Sequence, residues 1–314
     1  FDKEEHRGRN MRIGLIAALR RAADGSLRAA LPIGGSSVLT RQAVLLHSVG
    51  AERIVCICET PDAELLRVQQ TLEARGVVFH ALAGFAALPA LVRAEDDLIV
   101  LLDGLVPDPA VMRAVFGNVG NPESGIDRAV ATLPADHPMA VAHPTDFERI
   151  DAARAWAGAL AMRGAPVQRL EDFPPSADAI SLLLRLALQS GTPCRPLATR
   201  ELAPENWLLV VDPASALRHE EGLIARAAPP VDWRAPTHAL AAMLVRALSP
   251  KGLARGGPMA WALALVLLVN GVLAAGLGAP AAGLAAAGFG AFALRVSRDF
   301  SRLATRLQPE HARP

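Results

Sequence analysis

Between Met259 and Gly278 the chain carries no charged residue. About twenty helical residues rise roughly 30 Å, the thickness of a bilayer's hydrocarbon core, so MAWALALVLLVNGVLAAGLG reads as a membrane span. After Ala279-Pro280 a second uncharged run, dominated by alanine and glycine, reaches Leu294. The alternative is a buried helical pair in a soluble domain, but that needs a surrounding core which the rest of the chain does not supply. Gly271, Gly276, Gly283 and Gly288 suit close helix packing in lipid. Arg246, Lys251 and Arg255 precede the first run, and Arg295, Arg298, Arg302 and Arg306 follow the second. Positive flanks stay on the cytoplasmic side, which predicts a multi-pass protein of the inner (cytoplasmic) membrane with its N-terminal domain and C-terminus cytoplasmic. The tail RVSRDFSRLATRL puts Val296, Phe300, Leu303 and Leu307 on one helical face and arginines on another. It is either a helix lying at an anionic surface or a plain continuation of the second span.

Upstream, the pattern alternates between short apolar runs and helical spacing. MRIGLIAA, ERIVCICE, VVFHALA and DDLIVLLDG read as strands, and SSVLTRQAVLLHSVG, PDAELLRVQQTLEARG and FAALPALVRAE as the helices between them. Such alternation predicts an α/β fold, Rossmann-like, with a mostly parallel sheet and helices on both faces, followed by two transmembrane helices. RAVATLP and PMAVAHP are further strand candidates, and FERIDAARAWAGALAMRG reads as a helix running into a strand. SADAISLLLRLALQSG is a helix capped by Ser176 or Asp178 and ended by Gly191, and NWLLVVD is a late strand. The expected division is 1–10 as a tag or reading-frame extension before Met11, 11–228 as the α/β domain, 229–257 as linker and juxtamembrane helix, 258–295 as the hairpin and 296–314 as the basic tail.

A net charge of +1 gives no electrostatic footprint for nucleic acid. Cys56, Cys58 and Cys194 build no disulfide framework, and Cys56 and Cys58 read as reduced core residues sharing one strand face.

In an open α/β sheet, ligands bind beyond the carboxyl ends of the strands. That places the loop from Leu19 to Gly35 and the turn Asp103-Gly104 at the site. The loop holds Arg20, Arg21, Gly25 and Arg28, then LPIGGSSVL with Pro32, Gly34 and Gly35. A guanidinium fork matches phosphate geometry, so these arginines are candidate phosphate ligands. Asp103 ends a strand, where a carboxylate suits Mg²⁺, and Asp108 reads as a helix cap. A second metal carboxylate is sought in TDFERIDAARAWAG among Asp146, Glu148 and Asp151, with Asp151 the choice. His137 and His143, each before a proline in a loop, are candidates to meet substrate, although lone loop histidines usually do nothing chemical.

LRAALPIGGSSVL and DDLIVLLDGLVPDPAVM resemble the signature segments of the nucleotidyltransferase fold, the MobA-like and sugar-phosphate nucleotidylyltransferase group, across roughly Met11 to Asp212. Arg28 falls where that family has a lysine, Pro32 on its proline, and Gly34 and Gly35 on its paired glycines. The resemblance implies a sheet of the nucleotide-diphospho-sugar transferase type. It also implies Arg28 and Asp103 as catalytic residues, with Arg20, Arg21, Gly25, Gly34 and Gly35 at the nucleotide and Asp103 and Asp151 at Mg²⁺. The reaction implied moves a nucleotidyl group from a nucleoside triphosphate to an alcohol or sugar phosphate, for lipid or envelope-glycan synthesis at the bilayer. A membrane phosphotransferase or a second copy of the chain would be the protein partner. Two departures matter. The family's GxGxR is here ALRRAADGSLR, which keeps only Gly25, and Ser36 stands where many members have a second lysine. They raise the alternative of a catalytically inactive, membrane-tethered nucleotide-binding or scaffold protein. A glycosyltransferase would ordinarily place a DxD motif where this chain has DGL.

Overall fold

The computed structural model describes residues 10–61, 63–117, 126–175, 177–227 and 233–307, without the side chains of 225–227, 249–256 and 306–307. The expected extension up to residue 9, the Ser176 cap, part of the linker, the last residues of the tail and the side chains of Lys251, Arg255, Arg306 and Leu307 lie outside the described residues. Two compact units form: residues 10–31 with 37–213, and residues 32–36 with 214–307.

The chain runs β1 (Arg12–Ala18), a hairpin of β2 (Pro32–Ile33) and β3 (Ser36–Ser37), α1 (Val38–Ser48), β4 (Arg53–Cys58), α2 (Ala63–Glu73), β5 (Val78–Ala83), α3 (Leu88–Leu91) and β6 (Asp97–Leu101). It continues through β7 (Leu105–Pro107), α4 (Pro109–Phe116), β8 (Ala129–Pro134), α5 (Pro138–Ala142), β9 (Arg154–Arg163), α6 (Ala179–Gln189), β10 (Cys194–Pro196) and β11 (Trp207–Leu209). Seven strands make one sheet in the order β10-β8-β9-β6-β1-β4-β5. Every pair is parallel except those made by β9, which runs antiparallel to both β6 and β8. Every residue of β1 and β6 is buried. Successive side chains of a strand point to opposite faces, so both faces of the sheet are covered, as a parallel sheet requires. Cys56 and Cys58 are both buried in β4.

The helix ends follow local chemistry. Ser37 caps α1 by accepting from Thr40 N, Asp108 caps α4 from Ala110 N, and Asp178 caps α6 from Ile180 N. Two local readings are corrected. PMAVAHP is the helix α5, because Pro138 takes the first helical position and the His137 ring accepts from Met139 N. FERIDAARAW holds no helix. Asp151 accepts from Ala153 N and Arg154 N, Ile150 N bonds Arg154 O, and this tight turn feeds β9 directly.

The second unit holds α7 (Pro213–Ala227), α8 (Pro236–Gly276) and α9 (Pro280–Leu307). α8 is continuous over 41 residues and α9 over 28. Val296, Phe300 and Leu303 of α9 are buried with Ile224 of α7 and Ala241 and Val245 of α8. The tail's apolar face is thus spent inside the chain, and the tail continues the second helix rather than lying apart from it. Of the four glycines, Gly271 and Gly283 face each other. A Cβ on Gly283 would stand 2.7 Å from Gly271 O, whereas Gly276 and Gly288 meet nothing within 4 Å. Gly257–Gly276 and Pro280–Thr305 are long and apolar enough to cross a membrane. Only 11% of the first run's apolar window is buried, and Val266, Val269, Val272 and Leu273 are exposed, so this run is not a core of the chain.

Candidate nucleotide site

The strand order reverses between β6 and β1, and there a cavity of about 690 Å³ opens beyond their carboxyl ends. Ala17 and Leu19 after β1, Ile57 and Cys58 of β4, Ala83 of β5, and Leu102 and Asp103 after β6 supply its floor. Asp178, Ala179 and Ile180 bring the N-terminus of α6 to its wall, and Phe85 adds an aromatic face.

Asp103 is 1% exposed. Its Oδ2 accepts from Leu19 N at 2.9 Å and from Arg20 N at 2.7 Å, which ties the end of β6 to the loop leaving β1. Its Oδ1 is buried without a donor. Burial pushes the carboxyl up to about 6, against the opposing pull of those two amides and of Arg28 and Arg20. Gly104 follows with φ +86, and a Cβ there would stand 2.5 Å from Val210 O. Gly104→Ala is therefore expected to lose about 1–2 kcal/mol from the backbone conformation alone and more from the collision. Urea unfolding followed by the fluorescence of Trp156 and Trp207, both fully buried in the first unit, measures it.

From Arg20 to Arg28 the loop closes on itself. Arg28 N donates to Arg20 O at 2.9 Å, Ala22 N to Ser26 O at 2.8 Å and Gly25 N to Ala22 O at 2.9 Å. Gly25 sits at its tip with φ +84. These amides are used within the loop, so a phosphate cradle of free N–H groups, the role of the missing glycines, is not formed by them. Asp146, 2% exposed, accepts from Arg20 Nη1 at 2.5 Å and Arg28 Nη1 at 2.9 Å through one oxygen, Oδ1. Arg20 also donates to Thr145 O and lies 3.8 Å from Asp178. Arg21 does not join Asp146: it pairs with exposed Glu59, a residue that lines the cavity, at 3.0 Å and donates to Gly25 O.

Among the expected residues, then, Arg20 and Asp103 line the cavity, and Arg28 joins Arg20 on Asp146. Gly34 (φ +55) and Gly35 (φ +82) form the turn between β2 and β3. Asp151 does not line the cavity: its carboxylate holds Arg154 at 2.6 Å and caps its own turn, which also keeps it below the usual carboxylate range. Glu148 is taken by Ser181. Sequence reasoning missed Gln42, fully buried on α1, whose Nε2 donates to both Leu102 O and Leu105 O at 2.8 Å and so clamps the turn that carries Asp103. A polar residue among Leu39, Ala43, Leu45 and Leu46 on a buried helix face is the signal that marks it.

Mg²⁺ usually takes one or two carboxylates and fills its shell with water and substrate phosphates. Among the described residues no three His, Cys, Asp or Glu side chains gather as a ligand set. The donor-less Oδ1 of Asp103 supplies the one carboxylate that a cation arriving with a phosphate chain needs. The residues fit that case and not a resident ion held by protein alone.

No protein-family model and no curated protein sequence matches the chain. Among solved structures it is similar to the inositol-1-phosphate CTP transferase from T. maritima, at 14% identity and TM-score 0.45 over 65% of this chain and 91% of that one. It is also similar to CMP:2-keto-3-deoxy-manno-octonic acid synthetase complexed with CTP, at 16% identity and TM-score 0.44 over 69% of this chain and 99% of that one. At such identities and scores these likenesses assign no role to any residue here, and the mostly parallel α/β fold stands on its own strand order.

Proposed function

We propose that this chain is a membrane-anchored nucleotidyltransferase-like protein that transfers a nucleotidyl group from a nucleoside triphosphate to an alcohol or sugar phosphate. The observation that supports it best is the cavity at the β1/β6 crossover with Asp103 in its floor. In this reading Arg20, Arg28 and the Gly25 loop meet the phosphates, with Arg21 beside them on Glu59. The acceptor's phosphate oxygen attacks the α-phosphorus in line and pyrophosphate leaves. Positioning and charge compensation carry such a step, so no nucleophilic side chain is needed. Mg²⁺ held by Asp103 would offset charge gathering on the phosphates. The apolar hairpin keeps the product beside a cytoplasmic membrane, where activated head groups for lipid or envelope-glycan synthesis are consumed.

One observation favours a second reading, a tethered nucleotide-binding or scaffold protein without turnover. The groups that would meet a triphosphate are already satisfied: Arg20 and Arg28 by Asp146, and the amides of Leu19 and Arg20 by Asp103. Calorimetric titration of the full chain in detergent with CTP, UTP, GTP and ATP, with and without Mg²⁺, decides between them when paired with a pyrophosphate-release assay. The transferase reading expects one triphosphate to bind with Mg²⁺, at least about tenfold more weakly in Asp103→Ala, and to release pyrophosphate with the right acceptor. Metal-independent binding without turnover favours the scaffold. Silence for all four triphosphates from folded protein removes the nucleotide site.

A further inference from the structure

Resting on the membrane-anchor reading, we propose that the arginine face of α9 is a binding site for the phosphate of an anionic phospholipid headgroup.

Depth is the first part of the argument. Ser297 Oγ donates to Gly257 O at 3.0 Å, in a buried contact, and a Cβ on Gly257 would touch Ser301 Oγ at 3.4 Å. Ser297 of α9 is therefore level with the start of the first apolar run. That run, Gly257–Gly276, has 20 residues and rises about 30 Å, one hydrocarbon thickness, before the chain turns back. On α9 no charge occurs from Pro280 to Leu294, and the arginines begin at Arg295. With about 1.5 Å of rise per residue, Arg295 to Arg302 cover about 10 Å of depth around Ser297, which is the headgroup layer.

Direction is the second part. Positions 295, 298 and 302 follow i, i+3, i+7 spacing and share one face of the helix. The opposite requirement, burial, is met by Val296, Phe300 and Leu303, so the helix cannot roll to hide the arginines. Arg298 is exposed, and Arg302 has a side chain 70% exposed. Among the described residues the acid within ion-pair distance of them is Asp299, 6% exposed, 3.3 Å from Arg295 and 3.9 Å from Arg302. Asp299 neutralises Arg295 and holds it against the helix, and it touches Arg302 only at the limit of an ion pair. Arg298 and Arg302 are left as a guanidinium pair at phosphate depth, and a guanidinium fork matches a phosphate's oxygens. A zwitterionic headgroup offers the same phosphate with its own ammonium beside it, so the net positive face selects a headgroup of net negative charge.

The test uses the full chain reconstituted in phosphatidylcholine vesicles with and without phosphatidylglycerol, alongside Arg298→Gln/Arg302→Gln. Insertion is read by resistance to alkaline carbonate extraction. Lipid preference is read by native mass spectrometry of the chain released from mixed vesicles. Both proteins are expected to insert. The unmutated chain retains phosphatidylglycerol over phosphatidylcholine, and the double variant loses that preference by about thirtyfold, from about a fivefold contribution of each surface arginine. Insertion with equal retention of both lipids by the unmutated chain overturns the proposal and leaves the anchor standing. Displacement of phosphatidylglycerol by soluble glycerol phosphate overturns it in favour of a free-phosphate site. Failure of the unmutated, folded chain to insert overturns the anchor reading, and this proposal with it.

Discussion

Asp146→Ala is expected to destabilise the first unit by about 3–5 kcal/mol, the cost of leaving buried cations without their anion. Asp146 is 2% exposed, and its Oδ1 is shared by Arg20 at 2.5 Å and Arg28 at 2.9 Å. The two guanidinium groups differ in access to water. Arg28 is 14% exposed and loses most of its compensation, whereas Arg20 at 27% recovers part of its hydration. The lower end of the range, about 3 kcal/mol, is therefore the better figure. Arg20→Ala alone removes the more solvated partner, leaves Arg28 on Asp146, and is expected to cost about 1 kcal/mol. Urea unfolding read by the buried tryptophans compares the three proteins. A loss below that of Arg20→Ala would mean that the cluster is hydrated and not a buried pair. The same variant separates the two functional readings. If the arginines are phosphate ligands held in reserve, freeing them strengthens triphosphate binding even as stability falls. If Asp146 positions them for the ligand, affinity falls as well, and Asp146→Glu restores part of it.

Why the sequence shows the strands so clearly and this cluster so poorly follows from the range of the interactions involved. β1, β4 and β6 are apolar on both faces because both faces are covered, so RIGLIAA, RIVCIC and DLIVL declare themselves without any knowledge of the fold. Asp103 is legible as a strand end because the apolar run DLIVLL stops at it, which needs only local pattern. Asp108 and Asp178 are legible because a cap acts over two or three residues. The acids of TDFERID are different. All three lie within six residues, and which of them meets the arginines depends on where the turn before β9 begins, with partners 118 to 126 positions away in the chain. Nothing local distinguishes Asp146, which meets them, from Asp151, which closes the turn. The α5 segment fails for a related reason. PMAVA is too short for periodicity to separate a strand from a helical turn, and the Pro138 and His137 cap settles it.

Asp103→Asn is expected to abolish the pH dependence that the native carboxyl imposes. The carboxyl titrates near 6 in the folded chain, against an ordinary value of 3.8. A carboxyl raised by folding binds its proton more tightly in the folded state, so the folded protein is favoured at low pH. Stability is then lost as pH rises from about 4 to about 6, and the full penalty is present above that. About two pKa units correspond to roughly 3 kcal/mol. The asparagine keeps an oxygen for Leu19 N and Arg20 N and has no charge to desolvate. Measured by urea unfolding in detergent from pH 4 to 8, the variant gains on the native protein by about 3 kcal/mol across that window, and the difference is flat above pH 7. A difference curve that is flat throughout would mean that Oδ1 is open to water. The penalty exists because Oδ1 is buried with no donor, and a cation is what would relieve it. Mg²⁺ supplied with a triphosphate should therefore stabilise the native protein more at pH 8 than at pH 5, and should leave the asparagine variant largely unmoved. Equal stabilisation of both proteins would place the ligand away from Asp103 and remove this residue from the proposed chemistry.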